Sequence, residues 1–400
     1  MEPTRSEGQP VRAEPDTGVV RGCPVESVSL RSFLRALDRP RLAWAGGVTT
    51  GTVAETETTD SPTVAAGGAA ATVTTSGRDR FATVQARAQA VFDRLTQVDS
   101  LPAAARPRLY GGFAFTDRHD ADTSETWTGY PGARFVLPAV QLSVTPEGPW
   151  LTTAALGPGA RETATRRLET WRGRLAALPD VEPGTSPGVC GLEYNPAQEI
   201  WREQVGRAID RIERGDLKKV VLAQSLTARL DRPAVPGDVL ARLAEPYPDC
   251  HRFLFEPRRG GAFFGATPER LVSVRGDTVE TEALAGSIGR GKTDAEDDRL
   301  AAELLDSPKN THEHSLVVDA IRDQLGEMTT DIETGERTVR RLATVQHIQT
   351  PIRARLRDEA HVLSLVEALH PTPAVGGLPP DEALQTIRET EAFDRGWYAA

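Results

Sequence analysis

Apolar residues recur at helical spacing in some stretches of the chain and at alternate positions in others, so helices and strands are both predicted. Residues 196–215 give the clearest amphipathic helix, with Trp201, Val205 and Ala208 on its apolar face and Gly215 as its C-cap. Other helices are predicted at 79–97, 160–176, 294–305, 308–326 and 381–390. Strands are predicted at 111–115, 133–144, 150–156, 219–226, 252–256, 261–266, 270–274 and 278–284.

The order of these elements lacks the strict strand–helix alternation of a parallel α/β sheet. It predicts an α+β protein with large antiparallel sheets and helices packed outside them. Residues 49–78, which are rich in Thr, Val, Ala and Gly, are typical of short strands and turns. Residues 1–25 are predicted to be a disordered tail. A Gly/Pro break near 185–191 then separates a first part, 26–190, from a second part, 191–400.

The composition excludes several classes of protein. No run of about 18 apolar residues exists, which argues against a membrane span, and the acidic, Pro-rich start is unlike a secretory signal. The cysteines Cys23, Cys190 and Cys250 lie far apart without a CxxC pair, so a disulfide scaffold and a thiolate zinc site are excluded and a reducing cytoplasm is favoured. A net charge of −10 without a basic block argues against nucleic acid as a partner.

The cations are almost all arginines, because only four of the 47 are lysines. A GC-rich genome and the salt-rich cytoplasm of a halophile both explain this bias. Lys219 is notable because it begins KVVLAQ directly after the capped helix, where alternation places it on one strand face with Val221 and Ala223. Burial would lower the pKa of such a lysine and make it a general base, whereas an edge strand would leave it in water.

Two carboxylates are candidates for acid–base or metal chemistry. Glu269 follows the turn after a strand in FFGATPERL, where burial would make it a general acid; the alternative is a glutamate of a surface turn. Ser307–Pro308 begins a helix, and Glu313 lies on its predicted apolar face, where it needs a cation. Mg²⁺ shared with an anionic substrate suits it, and a structural ion pair is the alternative. His312 and His314 lack the i, i+4 spacing of a zinc protease.

Two glycine-containing turns and one histidine complete the candidates. LAGSIGRG at 284–291 follows a strand, and such backbone can approach an anion closely, although most such turns are only turns. HPTPAVGG at 370–377 is a rigid loop that contains one histidine. His347 lies in a predicted strand, where a lone histidine is more often structural.

Together these segments resemble one family. The motifs KVVLA (219–223), GATPERL (265–271), LAGS (284–287), SPKNTHEH (307–314), VQH (345–347) and HPTPAVGG (370–377) occur in the order found in the chorismate-utilising enzymes. The chain is most similar to isochorismate synthases of the menaquinone pathway. The resemblance covers about residues 26–400, is densest from 196 onward, and marks 191–400 as the catalytic, chorismate-binding part of that family's fold.

The resemblance implies a role for each matching residue. Lys219 matches the base that activates water for attack on C2 of chorismate, and Glu269 matches the acid that protonates the departing C4 hydroxyl. Glu313 matches one glutamate of the Mg²⁺ site, which holds the ring carboxylate of the substrate. The remaining matches contact that carboxylate or line the cavity; they are Gly286, Ser287, His347 and Tyr398.

Differences inside the family favour addition of water. Relatives that use ammonia carry glutamine in place of Lys219, and the aminodeoxychorismate synthases have a nucleophilic lysine where Ala285 stands. No glutaminase subunit is therefore expected. Salicylate synthases share the lysine and then eliminate pyruvate, so they remain the alternative. Many relatives have arginine in place of Gln224.

The end of the sequence departs most from the family pattern. The family continues beyond the DRGWYAA segment with a substrate-binding arginine and the second Mg²⁺ glutamate. Three explanations are open: a longer coding sequence, which we favour, a second polypeptide, or an inactive relative.

Overall fold

The computed structural model describes residues 17–26, 28–46 and 63–399. The helices within these ranges are α1 (Leu30–Ala36), α2 (Arg80–Phe92), α3 (Ala160–Leu175), α4 (Gln198–Glu213), α5 (Pro236–Leu243), α6 (Asp294–Asp306), α7 (Pro308–Gly326), α8 (Val362–Leu369) and α9 (Pro380–Thr390). The strands of the first half are β1 (Gly18–Pro24), β2 (Arg41–Ala45), β3 (Thr63–Gly67), β4 (Ala71–Thr75), β5 (Leu95–Gln97), β6 (Tyr110–Phe113), β7 (Ala133–Leu137), β8 (Val140–Thr145), β9 (Gly148–Leu156) and β10 (Val189–Asn195). Those of the second half are β11 (Lys219–Val220), β12 (Ser225–Leu230), β13 (His251–Glu256), β14 (Phe263–Thr267), β15 (Ser273–Arg275), β16 (Thr278–Gly289), β17 (Thr329–Thr334), β18 (Thr338–Arg341), β19 (Val345–Leu356) and β20 (Gly377–Leu378).

An eight-stranded sheet unites both halves of the chain. Its order is β14-β13-β2-β3-β8-β9-β1-β5, and every pair is antiparallel except β1 with β5. Its core contains Phe33, Leu142, Leu151, Trp171 and Leu254, because α1 and α3 cover one face of the sheet. The predicted parts 26–190 and 191–400 therefore interleave, since β13 and β14 of the second part extend the sheet of the first.

A second antiparallel sheet carries the LAGS segment. Its order is β15-β16-β19-β17, and β18 also pairs with β19. The helix α7 packs against β16 through an apolar cluster that includes Val317, Ile321, Val279 and Ile352. β16 and β19 are the two longest strands, and they pair along their whole length except for a register shift between Ala285 and Ser287.

The remaining strands form three small sheets: β4-β7-β6, the ribbon β10-β12, and the short pair β11-β20. None of the helices in the described ranges is both long and apolar enough to cross a membrane. The observed architecture agrees with the predicted α+β class, and α7 spans exactly the predicted residues 308–326.

Four predictions about local structure are wrong. The strand predicted at 133–144 is two strands, β7 and β8, which belong to different sheets, and the helix predicted at 79–97 ends at Phe92 and is followed by β5. Residues 18–24 were predicted to belong to the disordered tail, but they form β1. Its partners β9 and β5 are too distant in sequence for a local pattern to reveal the pairing. Residues 1–16 and 49–62, to which other parts of these predictions refer, lie outside the described residues. The strand predicted at 219–226 is only Lys219–Val220, and a new strand begins at Ser225. The short strand follows from its partner β20, which is itself only two residues long.

Candidate active site

Lys219 and Glu313 lie together. The Nζ atom of Lys219 is 3.1 Å from Oε1 of Glu313, and the two side chains are 11% and 34% exposed. Of the two environments that the sequence left open for this lysine, the structure shows the one largely withdrawn from water, but its partner is a carboxylate of α7 rather than the apolar side chains of its own strand. Glu313 remains accessible from outside, so another cation could reach it.

Lys219 is held by a close approach of two backbone segments. It pairs with Leu378, and Lys218 N–H and Val221 N–H donate to Leu378 O (2.8 Å) and Gly376 O (2.9 Å). Gly377 has φ +143°, and a Cβ atom on it would lie 2.3 Å from Lys219 O. The glycine at the end of HPTPAVGG is therefore required for β20 to lie against β11.

The buried stripe of α7 agrees with the prediction at Val317, Ile321 and Leu325, but it does not include Glu313. It runs through His314, Val317, Ile321 and Leu325, so Glu313 lies beside the stripe and not within it. The ring of His314 is fully buried, with Nδ1 3.2 Å from Ala285 O and Nε2 2.7 Å from Thr350 Oγ1. Both ring nitrogens are used by the protein, which makes His314 a structural link between α7 and the LAGS turn.

Glu269 follows β14 at the turn, where its N–H donates to Thr267 Oγ1 (3.2 Å). Burial and, to a smaller extent, nearby Glu282 raise the pKa of the Glu269 carboxyl, whereas Lys219 and Arg340 oppose the rise, and together these effects bring the pKa to about 7. The attraction from Lys219 shows that the two predicted acid–base residues share one electrostatic environment. A carboxyl with this pKa can carry a proton near neutral pH.

Glu282 and its partners were missed by the sequence reasoning. Glu282 lies on β16 and is 3.2 Å from Nη1 of Arg340 on β18; both side chains are 12% exposed. Gln349 on β19 also donates to Glu282. The only local signal was a carboxylate within a strand just before LAGS, and its partners come from strands that are distant in sequence. This network places a second carboxylate beside Glu269.

The LAGS turn brings Gly286, Ser287 and His347 together. Gly286 has φ +79° at the register shift of β16, and a Cβ on it would lie 3.3 Å from Asn310 Cβ in the first turn of α7. Ser287 Oγ is 2.8 Å from Nδ1 of His347 on the paired strand. Burial lowers the pKa of His347, and Arg340 lowers it further. The turn therefore lies against the helix that carries Glu313.

Tyr398 is less closely tied to this group. Its side chain is 44% exposed, and its backbone N–H donates to Arg395 O (2.9 Å). The structure gives it no side-chain hydrogen bond to the other predicted site residues in the described part of the chain.

The metal-binding capacity rests on Glu313. Within residues 17–26, 28–46 and 63–399, no three His, Cys, Asp or Glu side chains are arranged to hold a metal ion. Mg²⁺, however, keeps several waters and commonly binds through one or two carboxylates together with the substrate. An accessible carboxylate beside an anion-compatible turn fits one such ligand.

Comparison with known proteins decides the family. The model of the family described as "Chorismate binding enzyme" matches residues 50–400. The chain belongs to the chorismate-binding enzymes. The predicted family is thereby confirmed.

Individual chorismate-binding relatives give the same result. The chain is 40% identical over 302 residues to the "Salicylate biosynthesis isochorismate synthase" of Pseudomonas aeruginosa, covering 74% of this chain and 62% of that protein. It is 35% identical over 301 residues to "Isochorismate synthase MenF" of Bacillus subtilis, covering 74% and 63%. The matches thus span less than two thirds of these relatives.

A solved structure supports the fold. The menaquinone-specific isochorismate synthase MenF from Escherichia coli superimposes with a TM-score of 0.76 at 23% identity, covering 97% of this chain and 83% of that one. The predicted chorismate-utilising fold is therefore confirmed.

Proposed function

We propose that this protein converts chorismate to isochorismate. The observation that carries the proposal is the grouping of a largely buried lysine, Lys219, with Glu313 at 3.1 Å and with Glu269, whose pKa is raised to about 7 in the same environment. The names of the two relatives described above, both isochorismate synthases, support the same reaction.

Lys219 is the proposed base. Its amine takes a proton from the water that adds to C2 of the substrate. Its backbone is fixed on both sides of the side chain by the hydrogen bonds to β20, which limits the positions open to Nζ. Family members that add ammonia have glutamine here, so a lysine supports water as the nucleophile.

Glu269 is the proposed acid. It gives its proton to the C4 hydroxyl, which departs as water, while the double bonds of the ring shift between the two reacting carbons. A carboxyl with a pKa of about 7 retains much of its proton near neutrality, as this step requires. Addition at one carbon and departure at another need two separate groups, which Lys219 and Glu269 supply.

The ring carboxylate of the substrate is the proposed ligand of the LAGS turn, with Gly286 and Ser287 in contact and His347 behind Ser287. Mg²⁺, when bound, would neutralise this carboxylate, and Glu313 would be one of its ligands. Tyr398 is proposed at the outer wall of the cavity. Chorismate is the proposed small-molecule partner, and no glutaminase subunit is required because no ammonia is used.

A product assay tests the proposal. The purified protein is incubated with chorismate and Mg²⁺, and the products are separated by chromatography. Isochorismate without pyruvate is expected. Salicylate with pyruvate would instead assign the salicylate synthase reaction, and the absence of turnover would refute the proposal.

We place the product in menaquinone synthesis, because of the likeness to the MenF proteins. Expression in a bacterium that lacks its menaquinone isochorismate synthase should restore menaquinone. Failure there, with isochorismate formed in vitro, would favour a salicylate route like that named for the Pseudomonas relative.

A further inference from the structure

A buried ion pair lies behind the segment that follows Lys219. Glu391 and Arg395 are one helical turn apart in sequence, and their side chains are only 3% and 2% exposed. Nε of Arg395 donates to Oε2 of Glu391 (2.9 Å), and Nη2 donates to Oε1 (2.5 Å). Most ion pairs four residues apart on a helix are exposed to water. Burying this pair costs its hydration, and the contacts that the pair makes with the protein must offset that cost.

The pair holds the backbone on the C-terminal side of Lys219. Residues 221–224 lie outside the strands, and their polar backbone groups turn to this pair: Ala223 N–H donates to Glu391 Oε1 (2.7 Å), and Arg395 Nη2 donates to Val221 O (2.7 Å). A charged partner makes such hydrogen bonds stronger than neutral ones. The segment two to four residues after Lys219 therefore has a fixed path.

The same guanidinium reaches the loop on the other side of Lys219. Its Nη1 donates to Val375 O (3.1 Å), in the HPTPAVGG segment that leads into β20, and its Cζ lies 4.3 Å from the ring centre of Phe115. Four of the five N–H groups of Arg395 thus donate hydrogen bonds within the protein. No pair of adjacent N–H groups is left to bind an anionic substrate.

We propose that Glu391 and Arg395 are positioning residues for Lys219. The pair is hydrogen-bonded both to the segment after β11 and to the loop before β20, and these are the two backbone segments between which Lys219 is held. Removing the Glu391–Arg395 pair allows both backbone segments to shift, so that Nζ of Lys219 leaves its position beside Glu313. This inference rests on the proposed isochorismate synthase function only for its kinetic consequence.

The test uses a double variant, Glu391→Gln with Arg395→Gln, which removes both charges together and leaves no unpaired charge inside the protein. We expect kcat to fall roughly tenfold to a hundredfold, because a small misplacement of a catalytic group has that effect, while KM changes less than about twofold. Arg395→Lys, which keeps the charge but cannot span Val221 and Val375, should give a smaller loss in the same direction and serves if the double variant does not fold.

A second measurement does not depend on turnover. Brief amine acylation at one pH, followed by mass spectrometry, compares labelling of Lys219 with that of the exposed Lys292. Because Lys219 is 11% exposed in the intact site, its relative labelling should rise severalfold in both variants.

The control is Glu256→Gln with Arg41→Gln, which removes a pair at 2.5 Å in the eight-stranded sheet and leaves the second partner of Glu256, the half-exposed Arg39, in contact with water. It should lower stability without changing kcat or the labelling ratio. Equal kcat losses in control and test variants, or an unchanged labelling ratio in the test variants, would overturn the positioning role. If the unmodified protein forms no isochorismate, the proposed function fails, and the labelling ratio alone decides the positioning role.

Discussion

Replacing Gly377 by alanine should disturb both stability and catalysis, because no space exists for a methyl group at this position. A Cβ there would lie 2.3 Å from Lys219 O, 2.8 Å from Ala383 Cβ and 2.9 Å from Val220 Cα. Ordinary van der Waals contact begins at 3.4 Å, so β20 and β11 must separate by about 1 Å.

The expected magnitude has two parts. The positive φ of +143° costs a residue with a side chain about 1–3 kcal/mol. Forcing a methyl group into packed backbone costs about 1–3 kcal/mol more. We therefore expect Gly377→Ala to lower the free energy of unfolding by about 2–6 kcal/mol, and to lower kcat roughly tenfold or more because Lys219 moves with β11.

Gly148→Ala separates the cost of the positive φ from the cost of steric overlap. Gly148 also has a positive φ, +117°, but nothing lies within 4 Å of a Cβ built on it. This variant should lose only about 1–3 kcal/mol and keep its kcat. Urea unfolding followed by fluorescence and initial rates of isochorismate formation give both quantities. Equal losses of stability in the two variants, or an unchanged kcat in Gly377→Ala, would refute the reasoning.

Four further predictions concern ionisable groups. Lys219→Ala should lower kcat by roughly 10²–10⁴-fold with little effect on the unfolding midpoint, and retained activity would exclude it as the base. Glu269 loses its proton as the pH rises through about 7, so turnover should decline there; Glu269→Gln should be slow at every pH, and an unchanged decline in that variant would assign it to another group. Glu313→Gln should raise the Mg²⁺ concentration for half-maximal activity by roughly tenfold, because a carboxylate ligand is lost, and an unchanged titration would count against this assignment. Burial would lower the pKa of His119, but hydrogen bonds to Asp394 and to a backbone carbonyl raise it overall. The stability from this contact is therefore present below pH 6.5 and is lost as the pH rises through the folded-state pKa. His119→Gln should flatten this part of the plot of unfolding free energy against pH, and an unaltered plot would contradict the prediction.

Sequence patterns predicted an element correctly where residues within that element determine its bounds. Helix α7 was predicted at its correct bounds, because Ser307 caps it, Pro308 occupies its first turn, and the apolar period continues to its end. Its apolar stripe was predicted correctly at Val317, Ile321 and Leu325, but Glu313 was placed on that stripe where the buried residue is His314. His314 is tolerated there only because Ala285 O and Thr350 Oγ1, which come from other strands, satisfy it.

Distant pairing explains the features that the sequence could not predict. The two-residue length of β11 is set by β20, more than 150 positions later, and no pattern around Lys219 contains that information. The Glu391–Arg395 pair has the spacing of an ordinary surface pair, and its burial depends on Phe115, Val221 and Val375. The resemblance identified candidate catalytic residues, whereas the supporting contacts emerged only from the fold.

The β16–β19 ladder has a consequence for how this site can change. The regular part of the ladder, which includes Ala283 and Thr350, should exchange its amide protons more slowly than Ser287, which is exposed and lies beside the register shift. The LAGS turn, which is the proposed contact of the substrate carboxylate, is then the locally irregular part of a regular ladder. Divergence towards other reactions on the same scaffold is then expected at this turn, where Ala285 stands in place of the nucleophilic lysine of related enzymes, whereas a library confined to the regular part of β16 and β19 should yield mainly unfolded proteins.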